Sequence, residues 1–321
     1  MTGSPDRGRA PDFLIVGHPK CGTTALYRTL RGHPQIFMPE IKETWYFVPE
    51  LHSRFRHRAW GRPDTWEEYL ALFADASAAQ RAGECSPSYL VSEHAAGRIA
   101  AALPEVRIVA LLREPASFLR SLHMQFVQTH VEDETDLGKA LALEPRRRAG
   151  ERLPRHSPRP QMLRYSEHVL YAEQLRRYHA VLPREQVHVI VYEDYRRDNE
   201  RVVRELLRFL GVDARLPLQL AEANPSVRVR NRSLHTTLQA VTIGRGPFAR
   251  AAKGSLKLVS SRRARRIALR QIRRRAVFAE PDPVDERLML ELRHRFRGEV
   301  EAVSEYLGRD LVGEWGYDRL G

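Results

Sequence analysis

A short glycine-rich segment near the N-terminus has the composition of a loop that binds phosphate groups. Gly17 and Gly22 stand five residues apart, Lys20 lies between them, and the hydroxyl side chains of Thr23 and Thr24 follow. Two glycines at this spacing let the backbone curl so that successive amide groups point at one anion. The segment therefore predicts an anion site built from backbone amides, two hydroxyls and one lysine.

The position of the lysine separates this loop from the phosphate loop of nucleoside triphosphatases. In that motif a lysine and then a serine or threonine follow the last glycine, and the hydroxyl binds Mg²⁺. Here Thr23 follows Gly22 directly, and the lysine comes earlier, at Lys20. We therefore expect protein cations to neutralise the ligand, and no metal is predicted. A P-loop kinase for a small metabolite is the alternative, and it would require Mg²⁺ and ATP.

Arg113 is the second candidate for binding an anion. It comes directly after the apolar run Arg107–Leu112, which predicts a strand buried on both faces. Its guanidinium would then emerge at the carboxyl edge of the sheet, where open α/β folds bind their ligands. A planar guanidinium suits bidentate capture of a terminal phosphate. Considered alone, Arg113 is equally compatible with a structural ion pair to Glu114 or Glu193.

These candidates need a sheet that brings the ends of separate strands together. Short apolar runs predict four strands, at Phe13–Val16, Arg81–Cys85, Arg107–Leu112 and Val187–Tyr192. Apolar spacing and helix-ending residues predict the helices, at Thr23–Leu30, Tyr89–Leu103, Pro115–Thr129, Tyr165–Val181, Asn199–Leu210 and Val284–Tyr306. Strands that alternate with helices indicate an α/β fold, here a P-loop-type parallel sheet flanked by helices, with a helical C-terminal cap.

The chain is expected to consist of a short lead-in and one domain. Residues 1–11 are polar and rich in proline and glycine, without the apolar stretch of a signal peptide, and predict disorder. Residues 12–321 predict a single domain. Within it, residues 131–160 are polar and rich in arginine and proline, which is typical of a lid or an insertion. Residues 224–321 predict a helical cap, and no strand is predicted after Asn224.

Two features of the sequence favour a cytoplasmic location. It contains no apolar run of about 18 residues, the length at which a membrane-spanning helix is predicted. The two cysteines, Cys21 and Cys85, form no Cys-x-x-Cys pair. Neither a disulfide framework nor a zinc site is therefore predicted.

The loop and the strand ends together resemble the sulfotransferase family that uses 3′-phosphoadenosine 5′-phosphosulfate (PAPS), in particular its bacterial and heparan-sulfate-type branch. The resemblance covers roughly Phe13 to Gly211. Five segments carry it in the order expected for the family: Pro19–Thr24, Lys42–Phe47, Glu84–Tyr89, Leu112–Pro115 with Ser121, and Val191–Asp194. One such loop would be weak evidence, whereas five ordered segments are specific. The resemblance implies an enzyme that transfers a sulfuryl group.

The resemblance implies catalytic roles for the first two segments. Pro19–Thr24, which includes Cys21, resembles the loop around the 5′-phosphosulfate of the donor. Lys20 would then stabilise the charge that develops on the oxygen between sulfur and phosphorus. The second segment is similar to the Lys-Glu-x-His-Phe-Phe pattern that carries the catalytic base, which makes Glu43 the candidate base. This chain has Trp45 where the pattern has histidine, so the match around Glu43 is incomplete.

The third segment, Glu84–Tyr89, resembles a segment of the acceptor side. The last two segments imply contacts with the nucleotide. Arg113 and Ser121, eight residues apart, resemble the site of the 3′-phosphate. Tyr192 ends the strand that lies near the adenine in this family, and Arg232 occupies the place where family members close a loop over the nucleotide. The implied donor-binding residues are Lys20, Cys21, Gly22, Thr23, Thr24, Arg113, Ser121, Tyr192 and Arg232. The acceptor stays open, as a hydroxyl or amine of a small molecule, a glycan or a lipid.

The charge of the chain adds a second, less specific signal. The formal net charge is +13, and Arg245–Arg275 contains twelve basic residues and no acidic one. Such a block fits a solvated surface, a rim that attracts an acidic acceptor, or peripheral contact with an anionic membrane surface. Nucleic-acid binding is a rival explanation, but the basic motifs interleaved with aromatic residues that it needs are not evident. No nucleic acid partner is therefore predicted, and the sequence carries no signal for the oligomeric state.

Overall fold

Five parallel strands, flanked by helices, form the central sheet of the computed structural model, which describes residues 9–52, 61–154, 157, 160–221, 228–229, 278–279 and 283–320. The strands are β1 (Phe13–Gly17), β2 (Ile36–Phe37), β3 (Arg81–Cys85), β4 (Arg107–Leu112), β5 (Val187–Val191), β6 (Arg228–Val229) and β7 (Phe278–Ala279). The sheet has the order β2-β3-β1-β4-β5, and β6 and β7 form a separate antiparallel pair. The predicted fold class is confirmed.

The helices alternate with the strands through most of the chain and continue near its C-terminus. They are α1 (Thr23–Arg31), α2 (Trp66–Ala71), α3 (Ala95–Ala102), α4 (Pro115–Thr129), α5 (Leu137–Ala142), α6 (Glu144–Arg148), α7 (Tyr171–His179), α8 (Tyr192–Arg197), α9 (Asn199–Leu210), α10 (Glu286–Leu307) and α11 (Leu311–Glu314). The predictions for α4 and α9 agree with the structure at both ends. Within the described ranges, no helix combines the length and the apolar character needed to cross a membrane.

Two helices are shorter than the sequence pattern predicts. The predicted helix from Tyr89 starts only at Ala95, because the Oγ of Ser92 accepts hydrogen bonds from the amides of His94 and Ala95 (3.2 Å each) and fixes a turn there. The predicted helix from Tyr165 is also divided, since Tyr165–Val169 forms a separate 3-10 helix before α7. Side chains that bond to nearby amides compete with regular helix, and apolar spacing does not record this competition.

The prediction that no strand follows Asn224 is wrong. Arg228–Val229 pairs in antiparallel register with Phe278–Ala279. Each strand has two residues, which is too short to produce an alternating apolar pattern. The predicted helical character of the C-terminal region is confirmed by α10 and α11.

The inner strands are buried on both faces, as the continuous apolar run of β4 predicts. All five residues of β1 are buried, and Ile108–Leu112 of β4 has no exposed surface. β4 pairs with β5 so that Leu112 lies opposite Val191. The next residues, Arg113 and Tyr192, therefore leave the sheet side by side at its carboxyl edge.

The region predicted as a lid or an insertion contains α5 and α6 and a buried ion pair. The guanidinium of Arg147 donates two hydrogen bonds to the carboxylate of Glu132 (2.7 and 2.8 Å), and both side chains are fully buried. Tyr165 adds a third donor from outside the segment (3.0 Å). Burial raises the pKa of Glu132, but the bonds from Arg147 outweigh this effect and lower it. The pair anchors the segment, whose role as a lid stays a prediction.

Two histidines are packed among aromatic rings behind the glycine-rich loop. His18 and His168 are 0% and 1% exposed, and their ring centroids lie 5.6 Å apart. The Nε2 of His18 donates to Gln174 (2.9 Å), whose own amide group is oriented by the carbonyl of Glu167. Burial lowers the pKa of His18 to about 3 and that of His168 to about 4. Both histidines are neutral structural residues, and His18 is not positioned to touch a ligand.

The two buried histidines should make the protein sensitive to acid. Their folded-state pKa values lie below the unfolded value near 6.5, so between about pH 6.5 and pH 4 the unfolded chain binds more protons. The free energy of unfolding should then fall by about 1.4 kcal/mol per pH unit for each histidine as the pH drops. Urea unfolding of wild type and His168→Gln at pH 7.5, 6 and 5 measures this slope, which should be smaller in the variant. The exposed His94→Gln is the control, and an identical slope in wild type and His168→Gln would contradict the assignment.

The ion pair in the 131–160 segment gives a second stability prediction. Arg147→Ala leaves the carboxylate of Glu132 buried without its counter-charge, and should lower the free energy of unfolding by about 3–5 kcal/mol. The neighbouring Arg148→Ala removes an exposed pair with Glu167 (3.3 Å) and should cost less than about 1 kcal/mol. Urea unfolding at pH 7.5 compares the two. An equal decrease in the free energy of unfolding of both variants would show that the buried pair of Arg147 contributes no more to stability than the exposed pair of Arg148.

Candidate active site

The glycine-rich loop connects β1 to α1 and exposes the amino end of that helix. Gly22 is the residue before the first helical turn, with a left-handed backbone (φ 86°), and α1 begins at Thr23. Lys20 is also left-handed (φ 71°), a conformation that side chains other than glycine rarely adopt. The amides of the first helical turn have no partner within the helix, and its dipole is positive at this end. The loop has the geometry of an anion site, as its sequence predicts.

Gly22 also lets the end of β5 approach the loop. A Cβ at this position would meet the ring of Tyr195 at 3.1 Å and the ring of Tyr192 at 3.3 Å. A side chain would therefore separate the two elements, in addition to the strain of its positive φ. The glycine brings Tyr192, a predicted nucleotide contact, against the predicted phosphate loop.

Arg113 joins the loop to the ends of β4 and β5. Its Nη1 donates to the carbonyl oxygen of Lys20 (2.9 Å), and its Nε donates to the hydroxyl of Ser117 (3.1 Å). Its guanidinium carbon lies 4.6 Å from the centre of the Tyr192 ring. The ion pair with Glu114 or Glu193, the alternative for Arg113, is not formed, since these three contacts hold the guanidinium. The structure thus brings Lys20, Arg113 and Tyr192 together.

Ser121 and Cys21 lie deeper than a direct contact with a ligand would suggest. Ser121 is 2% exposed, and Ser117, one helical turn earlier on α4, is the hydroxyl that Arg113 contacts. Sequence reasoning missed Ser117, although its spacing of four residues from Arg113 was the available signal. The side chain of Cys21 is fully buried, and burial raises its pKa to about 12. Cys21 is therefore a packing residue whose backbone belongs to the loop, and its thiol is not reactive.

The ammonium group of Lys20 lies in a cationic environment. Burial lowers the pKa of Lys20, and the neighbouring charge of Arg113 lowers it further. A cation in such a place is stabilised by an incoming anion, which supplies the missing counter-charge. Thr23 is buried and Thr24 is partly exposed at the start of α1, so the amino end of the helix faces this region with one accessible hydroxyl.

The candidate base Glu43 lies on a strained loop at the end of β3. Its backbone is left-handed (φ 63°), as is that of Trp45 (φ 58°). The amide of Glu43 donates to the carbonyl of Cys85 (2.9 Å), and its carboxylate accepts from the ammonium of Lys42 (2.8 Å). Because β3 is the parallel neighbour of β1, Glu43 shares the carboxyl edge of the sheet with the glycine-rich loop. This is the edge at which open α/β folds bind their ligands.

A buried carboxylate holds the loop that carries Glu43. Glu84 has no exposed surface and accepts hydrogen bonds from four hydroxyl groups, which belong to Thr44, Tyr69, Ser86 and Tyr89. Burial raises its pKa. Thr44 stands between the two left-handed residues of the loop, so its bond to Glu84 (2.6 Å) fixes the strained turn. The sequence assigns no individual role to Glu84, because its function as an anchor depends on contacts between distant segments.

Trp45 stands where the pattern around the candidate base has histidine, and the guanidinium of an arginine lies over its ring. The guanidinium carbon of Arg62 lies 3.4 Å from the centre of the Trp45 ring, and burial lowers the pKa of Arg62 to about 10. The charge of Glu43 acts in the opposite direction on this pKa, which places the carboxylate within electrostatic range of Arg62. Lys42 and Arg62 therefore surround Glu43 with two cations, and sequence reasoning did not identify Arg62.

Three sequence predictions lie outside the described residues. They concern Arg232 as a nucleotide contact, Arg245–Arg275 as a surface for an acidic acceptor or a membrane, and residues 1–8 of the lead-in. Groups of three or more metal-binding side chains do not occur among the residues that the structure describes.

Comparison with known proteins matches the regions that build this site. A family model described as "Sulfotransferase family" matches residues 11–215. The bifunctional heparan sulfate N-deacetylase/N-sulfotransferase 3 of Homo sapiens is 30% identical over 206 residues, which are 64% of this chain and 22% of that protein. The membrane-associated sulfotransferase kil1 of Dictyostelium discoideum is 31% identical over 105 residues, 33% of this chain and 21% of that protein. The chain thus spans about a fifth of the length of these relatives.

One solved structure matches almost the whole chain. The sulfotransferase from Alicyclobacillus acidocaldarius is 26% identical and has a TM-score of 0.66, over 96% of this chain and 99% of that one. The family model covers more than half of the chain, including the glycine-rich loop, Glu43, Arg113 and Tyr192. The P-loop kinase alternative is not favoured by any of these matches. The chain belongs to the sulfotransferase family.

Proposed function

We propose that the protein transfers a sulfuryl group from PAPS to a hydroxyl or amine of an acceptor, with Lys20, Arg113 and Glu43 in the central roles. The observation that carries this proposal is the hydrogen bond from Arg113 to the carbonyl of Lys20 (2.9 Å), with the ring of Tyr192 beside it. These two contacts bring the glycine-rich loop, the guanidinium of Arg113 and the ring of Tyr192 together at the carboxyl edge of the sheet. A nucleotide with phosphates at both its 5′ and 3′ positions needs these three elements.

The residues present fit a donor of this kind. The amino end of α1 and the left-handed turn at Gly22 supply amides for a 5′-phosphate. Arg113 is half-buried, and its Nε and Nη1 are bonded to Ser117 and to the loop, so that its Nη2 would be the donor to a 3′-phosphate. The Tyr192 ring offers a face for the base. When bound, PAPS would supply the sulfuryl group and leave as 3′-phosphoadenosine 5′-phosphate (PAP).

Lys20 would act on the leaving oxygen. Its lowered pKa, caused by burial and then by Arg113, makes the ammonium a stronger hydrogen-bond donor. Negative charge builds on the bridging oxygen as the bond between sulfur and oxygen breaks, and a fixed donor there stabilises the transition state more than the ground state. Arg113 holds the carbonyl of Lys20 and so fixes the turn from which the ammonium acts.

Glu43 would remove the proton from the acceptor. The acceptor oxygen or nitrogen forms its bond to sulfur while its proton passes to the Glu43 carboxylate. The bond from Thr44 to Glu84 and the bond from the amide of Glu43 to Cys85 hold this carboxylate in place. Lys42 donates to this carboxylate (2.8 Å) and orients it in a partly buried site.

The acceptor class that the relatives favour is a glycan. Several curated relatives carry heparan sulfate or carbohydrate sulfotransferase in their names, and the partly exposed ring of Tyr46 lies three residues from the candidate base. A small molecule is the second acceptor class, and a lipid the third. Action in the cytoplasm, and contact of Arg245–Arg275 with an acidic acceptor or a lipid surface, are further parts of this proposal that the sequence supports.

Binding of PAP tests the donor site without knowledge of the acceptor. Arg113→Ala should weaken PAP binding by about tenfold or more, because a charged hydrogen-bond partner of a phosphate is lost. Lys20→Ala should weaken it less, since PAP lacks the group that Lys20 serves in the reaction. Titration calorimetry of wild type and both variants, with and without Mg²⁺, measures these affinities.

Arg107→Ala is the matched control for Arg113→Ala. Arg107 begins the same strand at its opposite end, where it donates to the carbonyl of Phe209 (2.7 Å), and its loss should leave the PAP affinity unchanged. ATP with Mg²⁺ should bind more weakly than PAP. If it binds more tightly, the kinase alternative replaces the proposal.

The role of Glu43 as a base predicts a loss of rate without a loss of donor affinity. Glu43→Gln keeps the size of the side chain but removes its ability to accept a proton, and should lower kcat by about 10²- to 10⁴-fold. The assay is transfer of labelled sulfuryl from PAPS to a panel of desulfated glycans and phenolic compounds, together with PAP calorimetry. The exposed Glu40→Gln is the control. A rate for Glu43→Gln within threefold of wild type would remove Glu43 from the mechanism.

A further inference from the structure

Two carboxylates stand next to the proposed donor-binding residues and take part in none of the steps above. Glu114 follows Arg113, and Glu193 follows Tyr192. Because their strands are in register, the amide of Glu114 donates to the carboxylate of Glu193 (3.2 Å). The Glu114 carboxylate also caps α4, since it accepts from the first two free amides of that helix. These two carboxylates therefore connect the backbone of the donor site to its supporting helix.

Both carboxylates are bound by a C-terminal tail, defined here as residues 309–317. The hydroxyl of Tyr317 donates to Oε1 of Glu114 (2.7 Å), and the indole Nε1 of Trp315 donates to Oε2 of Glu193 (3.1 Å). Arg309 adds an ion pair to Asp194 (2.7 Å). The tail thus reaches three carboxylates just beyond the ends of β4 and β5, and two of them, Glu114 and Glu193, are adjacent to a residue assigned to the donor.

The aromatic side chains of the tail are buried in the fold. Trp315 is 5% exposed and Tyr317 is fully buried. Gly316 between them has a left-handed backbone (φ 74°), which turns the chain so that both aromatic side chains reach the same edge. The amide of Tyr317 donates to the carbonyl of Val312 (2.8 Å) and closes this turn.

We infer that Trp315 and Tyr317 are positioning residues for the donor site, acting through Glu193 and Glu114 on Tyr192 and Arg113. The inference rests on the proposed function, because it concerns the affinity for the same donor. Without the two aromatic donors, Glu114 would keep only the amides of α4 and its ion pair with Arg293 (3.7 Å), and Glu193 would keep only backbone amides. The segments that carry Arg113 and Tyr192 would then be held together less firmly. The tail lies outside residues 11–215, the part that the family model matches.

The test uses variants that remove one hydrogen-bond donor and keep the ring. Trp315→Phe and Tyr317→Phe should each raise the dissociation constant of PAP by about three- to tenfold, measured by calorimetry well below the melting temperature. Tyr306→Phe is the matched control: it removes a hydrogen bond of α10 to His179 (2.6 Å) and should leave PAP affinity within twofold of wild type. Melting temperatures of all three variants separate a loss of stability from a loss of positioning.

The outcomes distinguish this inference from the donor assignment. If Arg113→Ala weakens PAP binding but Trp315→Phe and Tyr317→Phe do not, the tail has no positioning role, whatever their melting temperatures. If wild type does not bind PAP, the donor assignment fails and the inference falls with it.

Amide hydrogen exchange is a second test, which compares the wild type with Trp315→Phe. Coupling between two sites is reciprocal, so PAP should slow amide exchange in the tail, and Trp315→Phe should remove most of that protection. Equal exchange of the tail in the presence and absence of PAP would overturn the inference.

Discussion

The register of the parallel strands β1, β4 and β5 is the constraint on which the site depends. β4 lies between the other two, with Gly17 opposite Leu111 and Leu112 opposite Val191. Three short segments therefore leave the sheet at one edge: the glycine-rich loop, Arg113 and Tyr192. A slip of one residue in either pairing would turn Arg113 toward the opposite face. The bond from Arg113 to the carbonyl of Lys20 is possible only in this register.

The functional loops have unfavourable backbone conformations, and buried hydrogen bonds compensate for them. Lys20, Glu43 and Trp45 all have positive φ values, which cost on the order of 1 kcal/mol each for side chains other than glycine. Arg113 fixes the first of these residues. Glu84 fixes the other two through Thr44 and Ser86. The strained residues of the candidate site are thus held by Arg113 and by the buried carboxyl group of Glu84.

The sequence predicts the sheet better than it predicts the connections. The runs Arg81–Cys85 and Arg107–Leu112 are strands with the predicted bounds. For Arg107–Leu112 the physical reason is that a strand buried on both faces is apolar along nearly its whole length. The start of α3 was wrong because it depends on one hydroxyl, that of Ser92, and the strand at Arg228–Val229 was missed because two residues make no pattern.

The same distinction holds for the candidate site. Lys20, Gly22, Arg113 and Tyr192 could be identified because loop and strand-end chemistry is local in sequence. Arg62 and the carboxylate of Glu84 could not, because their partners are distant in the sequence. Arg62 and Trp45, for example, are 17 positions apart. Ser117 had a local signal in its spacing of four residues from Arg113, but the sequence does not show that the two side chains meet.

The chain uses its two kinds of cation for different purposes. It contains 48 arginines and five lysines, yet the loop and the segment of the candidate base both contain a lysine. The planar guanidinium of Arg113 makes three contacts in fixed directions and holds separate segments together. The ammonium of Lys20 is a compact charge on a flexible stem, and its pKa is lowered by burial and by Arg113. The cation that holds separate segments together and the cation proposed to meet the developing charge are therefore different residue types, and Arg113 lowers the pKa of Lys20 while it holds the carbonyl of that residue.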